Sequence, residues 1–127
     1  MKKVIESTTA PAAIGPYSQA IIYGDLLFIS GQLPLIPETM QFPIGGIKEQ
    51  ATQSLKNAQE ILKKSNASLD TVIKTTCFLT DMSHFSQFNE VYTKFFNTEK
   101  PPARSCIEVA GLPKGALVEI EIIAYIQ

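Results

Sequence analysis

Apolar side chains recur at three- and four-residue steps in two stretches of the chain and at two-residue steps in most of the others. In GIKEQATQSLKNAQEILKKSN (46–66), Ile47, Ala51, Leu55, Ala58 and Leu62 fall on one stripe, the period of an amphipathic helix. Gly45 and Gly46 precede that stripe, and Ser65–Asn66 after two lysines gives it a stop. A second stripe, Phe85, Phe88, Tyr92, Phe95 and Phe96, predicts a helix through HFSQFNEVYTKFF, with Ser83 as its N-cap and Pro101–Pro102 beyond its end.

The remaining patterns read as strands. SQAIIY and LLFIS flank Gly24–Asp25, so residues 18–30 predict a β-hairpin. TVIKTTCFLT (71–80) is rich in β-branched residues, RSCIEV and LVEIEIIAYI are separated by AGLPKG, and a short strand is expected near KVIE. Residues 33–46 hold three prolines and read as a long surface loop. The order is β-β-β-α-β-α-β-β. Two helices cannot cover both faces of a sheet of about six strands, so the pattern predicts an α+β two-layer sandwich, a mixed sheet with both helices on one face.

Strand parity then describes the uncovered face. Val118, Ile120, Ile122, Ala124 and Ile126 share one side of the last strand and belong under the helices; Leu117, Glu119, Glu121, Ile123 and Tyr125 point the other way. In the preceding strand Ser105, Ile107 and Val109 are expected on the core side, with Arg104, Cys106 and Glu108 opposite. Leu117, Ile123, Tyr125 and Cys106 are poor choices for a solvated surface, so a partner is expected to cover it, and self-association is the simplest.

Composition narrows the classes. The chain has 127 residues, 45% hydrophobic and 18% charged, with net charge −1: a single domain, 1–127, without a basic face for nucleic acid or anionic membrane. MKKVIESTTAPAA lacks the apolar core of a signal peptide, and no apolar run approaches the ~20 residues of a membrane span. Cys77 and Cys106 lie far apart in sequence without CxxC spacing, which suits reduced thiols in a cytoplasmic protein, and one histidine with no Cys/His cluster argues against a metal site.

Arg104 is the one arginine beside ten lysines, and Glu119 interrupts an apolar strand. Were their strands neighbours, the two would lie within a few residues of each other on the uncovered face. Arginine presents a planar fork suited to a carboxylate; a sheltered glutamate has its pKa raised by desolvation and lowered by a nearby guanidinium. Two readings stand equally on this chemistry: a ligand site, or an interfacial ion pair that fixes subunit register.

The residues PPARSCIEVAGLPKGALVEIE (101–121), with IGPYSQA, ISGQLPL, IKEQATQSLKN and FNEVYTKFF in order along the chain, resemble the RidA (YjgF) family of enamine/imine deaminases. The resemblance implies a homotrimer of the chorismate-mutase type with clefts between subunits. It implies a cofactor-free hydrolase converting 2-iminobutanoate, 2-iminopropanoate and 2-aminoacrylate to 2-keto acids and ammonia, which protects pyridoxal-phosphate enzymes. Arg104 would grip the substrate carboxylate and Glu119 activate the attacking water. Tyr17, Ser30, Gly31, Asn89 and Cys106 would bind substrate, Cys106 through its backbone and as a wall. Read alone, Tyr17 is a turn aromatic, Ser30 a strand end, Gly31 a positive-φ position or a close backbone approach, and Asn89 an amide at the stripe's edge. Cys106 has no base beside it to act as a nucleophile, since the lone His84 opens a helix.

The competing class is a non-catalytic trimer that binds a small carboxylate and regulates a partner protein. Ribonuclease activity, attached to some relatives, finds scarce phosphate-binding groups here. The chain departs from the usual family pattern at Gly111, where many members carry arginine, at Ala51, where threonine is frequent, and across 36–46. Gly111 and that loop bear on the cleft rim and hence on substrate preference.

Overall fold

Six strands and two helices form where the periodicities place them. The computed structural model describes residues 1–127. In chain order they are β1 (Lys3–Ile5), β2 (Ala20–Tyr23), β3 (Leu26–Gln32), α1 (Ile47–Lys64), β4 (Val72–Leu79), α2 (Phe85–Phe95), β5 (Ala103–Glu108) and β6 (Val118–Tyr125). One sheet takes the order β1-β2-β3-β6-β4-β5. Every neighbouring pair is antiparallel except β4 and β5, which run parallel with α2 as their crossover. Gly24 adopts φ +61 at the first position of the β2–β3 turn, the conformation a two-residue hairpin loop demands there.

α1 buries its whole predicted stripe, and Glu49 reaches back from its first turn to accept the Gly46 N–H at 2.8 Å. α1 packs on β3 and β6 and beside α2. Beneath it Val118, Ile120, Ile122 and Ala124 are at most 1% exposed, as the parity of β6 requires. Each fully buried leucine or isoleucine contributes about 2 kcal/mol to holding these layers together. On the opposite side of the sheet Val4, Tyr23, Leu26, Phe28, Ile107 and Tyr125 remain 38–63% exposed. A single chain leaves this apolar face open. No helix is long and apolar enough to cross a membrane.

Three expectations are corrected. α2 is not capped by Ser83: Asp81 accepts the Ser83 N–H at 2.9 Å and caps a short 3-10 turn, Met82–His84, that leads into the helix. Aspartate two residues earlier does the work assigned to the serine. The 33–46 segment is not purely a surface loop, because Leu35 is 6% exposed and Asn57 holds its backbone to α1. The third concerns β5, which is not a neighbour of β6. β4 lies between them, and the parity of β5 follows β4: Arg104 registers with Thr75, Cys106 with Cys77 and Glu108 with Leu79, all core-side residues of β4. Arg104, Cys106 and Glu108 therefore point to the helix side, and Ser105 and Ile107 to the open face. As an edge strand, β5 has no cleanly buried side from which this could have been read.

Candidate active site

The ladder between β3 and β6 is regular to Ile29 and then shifts register before Gln32, leaving Ser30 and Gly31 on an irregularity. Glu119 of β6 lies against this break. A β-carbon at Gly31 would sit 2.7 Å from Cδ and 2.9 Å from Cγ of Glu119, so the carboxylate occupies the place a side chain would take. Gly31 is needed for close approach, not for a positive φ. Ser30 Oγ donates to the Ser18 carbonyl at 2.6 Å and the Ser30 N–H to the Gln19 carbonyl at 3.0 Å, tying the break to the segment that carries Tyr17. Gln19 is itself buried: its Oε1 accepts the Ser7 N–H at 2.6 Å and its Nε2 donates to the Pro11 carbonyl at 2.7 Å.

These residues line a cleft of about 620 Å³ whose walls are the 11–19 segment, the 33–40 loop and the Pro113–Lys114 turn. Burial pushes the Glu119 carboxyl above its ordinary value, and the nearby Glu121 charge adds to the rise. No guanidinium opposes this within the chain. A half-buried carboxylate so placed is a stronger base than a solvated one and can take a proton from water and return it.

A second group forms on the other side of the sheet. Arg104 Nη1 donates to Asn89 Oδ1 of α2 at 2.7 Å, and the guanidinium lies 4.7 Å from the centre of the Tyr92 ring and 5.5 Å from that of Phe85. Tyr92 is fixed in turn by a 2.8 Å hydrogen bond with Thr75. The aromatic stripe of α2 thus builds the floor on which the arginine rests. Cys106 follows two residues on, half-buried; burial raises its thiol pKa, and the Arg104 charge pulls it the other way. Cys77, its register partner, is driven to about 12 by burial. Neither thiol ionises readily. A shallower pocket of about 400 Å³ holds Asn89, Tyr92, Thr93 and Arg104, leaving the outer donors of the guanidinium open to a ligand.

The expected residues are therefore divided. Tyr17, Ser30, Gly31 and Glu119 share one cleft; Asn89, Arg104 and Cys106 share another region; the sheet separates the two groups within one chain. The expectation that Arg104 and Glu119 meet on one face of the same chain fails, because β4 intervenes and reverses the facing of β5. No three His, Cys, Asp or Glu side chains converge on a point that could hold a metal ion. Sequence reasoning also passed over Gln19, Gln50 and Asn57, three buried amides that brace the cleft walls. Gln50 and Asn57 were visible as polar residues beside the apolar stripe of α1; nothing marked Gln19.

Comparison with known proteins places this geometry. The family described as Endoribonuclease L-PSP matches residues 7–126. The chain is 48% identical over 124 residues to the mouse protein named 2-iminobutanoate/2-iminopropanoate deaminase, covering 98% of this chain and 91% of that one. The crystal structure of YyfA, a Rid-family protein of Yersinia pestis, superposes with TM-score 0.96 at 46% identity over 99% of this chain and 100% of that one. That of Escherichia coli TdcF with bound serine superposes with TM-score 0.93 at 42% identity over 98% and 99%.

Proposed function

Because the chain belongs to the RidA (YjgF) family, the one also described as Endoribonuclease L-PSP, we propose that it is a 2-iminobutanoate/2-iminopropanoate deaminase. It works as a homotrimer whose sites lie between subunits. The observation that carries this reading is the division of the site. One region offers a fork-shaped cation and no acid; the other offers an acid with a raised pKa and no guanidinium, its one cationic side chain being the point charge of Lys114. Each is half of what an imino acid requires, and facing copies of the chain can supply both. The open apolar face of the sheet supports such an assembly, since association removes that surface from water.

In this reading Arg104, aimed by Asn89 and braced on Tyr92, grips the carboxylate of the 2-imino acid through its free donors. Glu119 of the adjoining copy holds a water against the imine carbon. The water oxygen attacks the carbon of the protonated imine as one water proton passes to Glu119, giving a neutral carbinolamine. Glu119 then returns that proton to the nitrogen, and the C–N bond breaks as the remaining hydroxyl proton passes to Glu119 and the carbonyl forms, so that ammonia leaves behind a 2-keto acid. The 2-aminoacrylate enamine enters as its imine tautomer after protonation at C3. The serine bound in TdcF is a small amino acid of the same carboxylate class, which supports a carboxylate-gripping role. Removal of such electrophiles would protect pyridoxal-phosphate enzymes. The family description's ribonuclease activity is not part of this proposal: one arginine, one histidine and net charge −1 give a phosphodiester chain few partners.

The test is ammonia release when a threonine dehydratase generates 2-iminobutanoate in situ. Wild type accelerates it; Arg104→Ala and Glu119→Ala fall to the uncatalysed rate. Full activity in both variants refutes the assignment. Wild-type activity equal to buffer, with 2-ketobutyrate still bound at Arg104, supports the regulatory trimer instead.

A further inference from the structure

Helix α1 carries polar side chains where its packing calls for apolar ones. Gln50 and Asn57 are 7% and 1% exposed. Their seven-residue spacing puts them on one face, about 10 Å apart along the axis. Asn57 Nδ2 donates to the Leu33 carbonyl at 3.1 Å and the Leu35 carbonyl at 2.8 Å, while its Oδ1 accepts from Gln53 Nε2 at 2.8 Å. With Gln53 supplying a donor, the orientation of the Asn57 amide is fixed. Gln50 Oε1 accepts the Leu117 N–H at 2.8 Å. A leucine at either position would bury more apolar surface without needing a partner, so helix packing alone does not account for the amides.

What the amides grip is specific. The chain held by Asn57 leads to Met40 and contributes Leu33 and Leu35 to one wall of the Glu119 cleft. The chain held by Gln50 follows directly on Pro113 and Lys114 in the facing wall and opens the strand bearing Glu119. Both walls contain a residue in left-handed backbone, Met40 at φ +57 and Lys114 at φ +60. The one other non-glycine residue with positive φ is Asn66, an asparagine just past the end of α1, where that conformation is ordinary. Left-handed backbone at a methionine or a lysine persists only where its surroundings hold it.

We infer that Asn57 and Gln50 are positioning residues that hold the two cleft walls at a fixed separation and so set the enzyme's preference among imino acids by side-chain length. The inference rests on the deaminase reading. With the imine carbon at Glu119, an apolar side chain longer than methyl runs between Leu33, Leu35 and Met40 on one wall and Pro113 on the other. A methyl group offers those walls the least surface to contact.

The experiment compares 2-iminopropanoate with 2-imino-4-methylpentanoate, both made in situ by an L-amino-acid oxidase. Asn57→Leu and Gln50→Leu are expected to lower kcat/KM for the longer substrate about tenfold through KM, the scale of one buried hydrogen bond, and to change it for the shorter one less than about twofold. Gln50→Glu keeps an acceptor for the Leu117 N–H and restores the preference. Asn57→Asp, whose carboxylate faces two carbonyl oxygens, does not. This charge-and-donor pair carries the comparison if the leucine variants fail to fold. Equal losses for both substrates, an unchanged preference, or a Gln50→Glu variant no better than Gln50→Leu overturns the inference. If wild type turns over neither substrate, the deaminase reading falls. The walls are then tested through the ratio of affinities for pyruvate and 4-methyl-2-oxopentanoate, with the same pattern expected. Failure to bind either keto acid overturns the inference together with the reading.

Discussion

Replacing Gly31 with alanine separates chemistry from stability at a single carbon atom. The new methyl would lie 2.7 Å from Cδ and 2.9 Å from Cγ of Glu119, against the roughly 3.5–4 Å of ordinary carbon contact, so the carboxylate must retreat by about 1 Å. A displacement of that size at a reacting group costs about 100-fold in rate. The backbone has no reason to object, because Gly31 is not among the glycines with positive φ. Alanine there even restricts the unfolded chain, worth about 0.4–1 kcal/mol in favour of the fold. We therefore expect kcat/KM for 2-iminobutanoate to drop about 100-fold while stability to urea changes by no more than about 1 kcal/mol. The Gly31→Ala/Glu119→Ala double variant should be no slower than Glu119→Ala alone, since the methyl acts only through the carboxylate. Activity within about twofold of wild type, or a double variant clearly slower than the single, would show that Gly31 does not act by making room for Glu119.

Other outcomes follow from the same geometry. Glu121→Gln should move the acid limb of the pH–rate profile down by removing the like charge beside Glu119; a limb that stays put under that change contradicts the stated cause. Because the folded-state pKa of Glu119 is raised, its ionisation weakens the fold. That penalty sets in as pH rises past 4.5 and is complete above the folded value, so Glu119→Gln should flatten the decline in urea titrations across that window. Arg104→Lys keeps the charge and loses the fork, and is expected to cost about 1–3 kcal/mol in substrate binding, read as a rise in KM. Ser54 buries a hydroxyl that has no partner. Ser54→Ala should be neutral or stabilising by up to about 1 kcal/mol in urea melts, and a loss of more than that would mean the hydroxyl is in fact engaged.

The sequence was most legible where one side of an element is fully buried. The stripe of α1 and the alternation of β6 carry their facing in the pattern of side chains, because an error of one residue would turn isoleucines outward. β5 has no such constraint. It is an edge strand with one hydrogen-bonded neighbour and largely exposed side chains, so its facing depends on which strand it joins. Pairing with β4 in parallel is a consequence of the α2 crossover, and parity within β5 does not encode it. Arg104 and Glu119 stood out nonetheless by their chemistry, a lone guanidinium and a carboxylate in an apolar strand, whereas Gly31 entered only through the family resemblance. Gly31 illustrates the limit, because two physical reasons for glycine were open and only the position of the Glu119 side chain decides between them. Gln50 and Asn57 could have been flagged as amides among core positions, but their partners lie 67 and 22 to 24 residues away in sequence.

The central claim is that one chain supplies the cation and another the acid. Its most direct measurement is the activity of hybrids assembled from Arg104→Ala and Glu119→Ala chains, each inactive alone, by co-expression at equal ratio. In a trimer of shared sites, three of four random assemblies hold one intact interface, so the mixture should regain about a quarter of wild-type activity per chain. A mixture that forms hybrid trimers and stays as inactive as its parents would contradict the account.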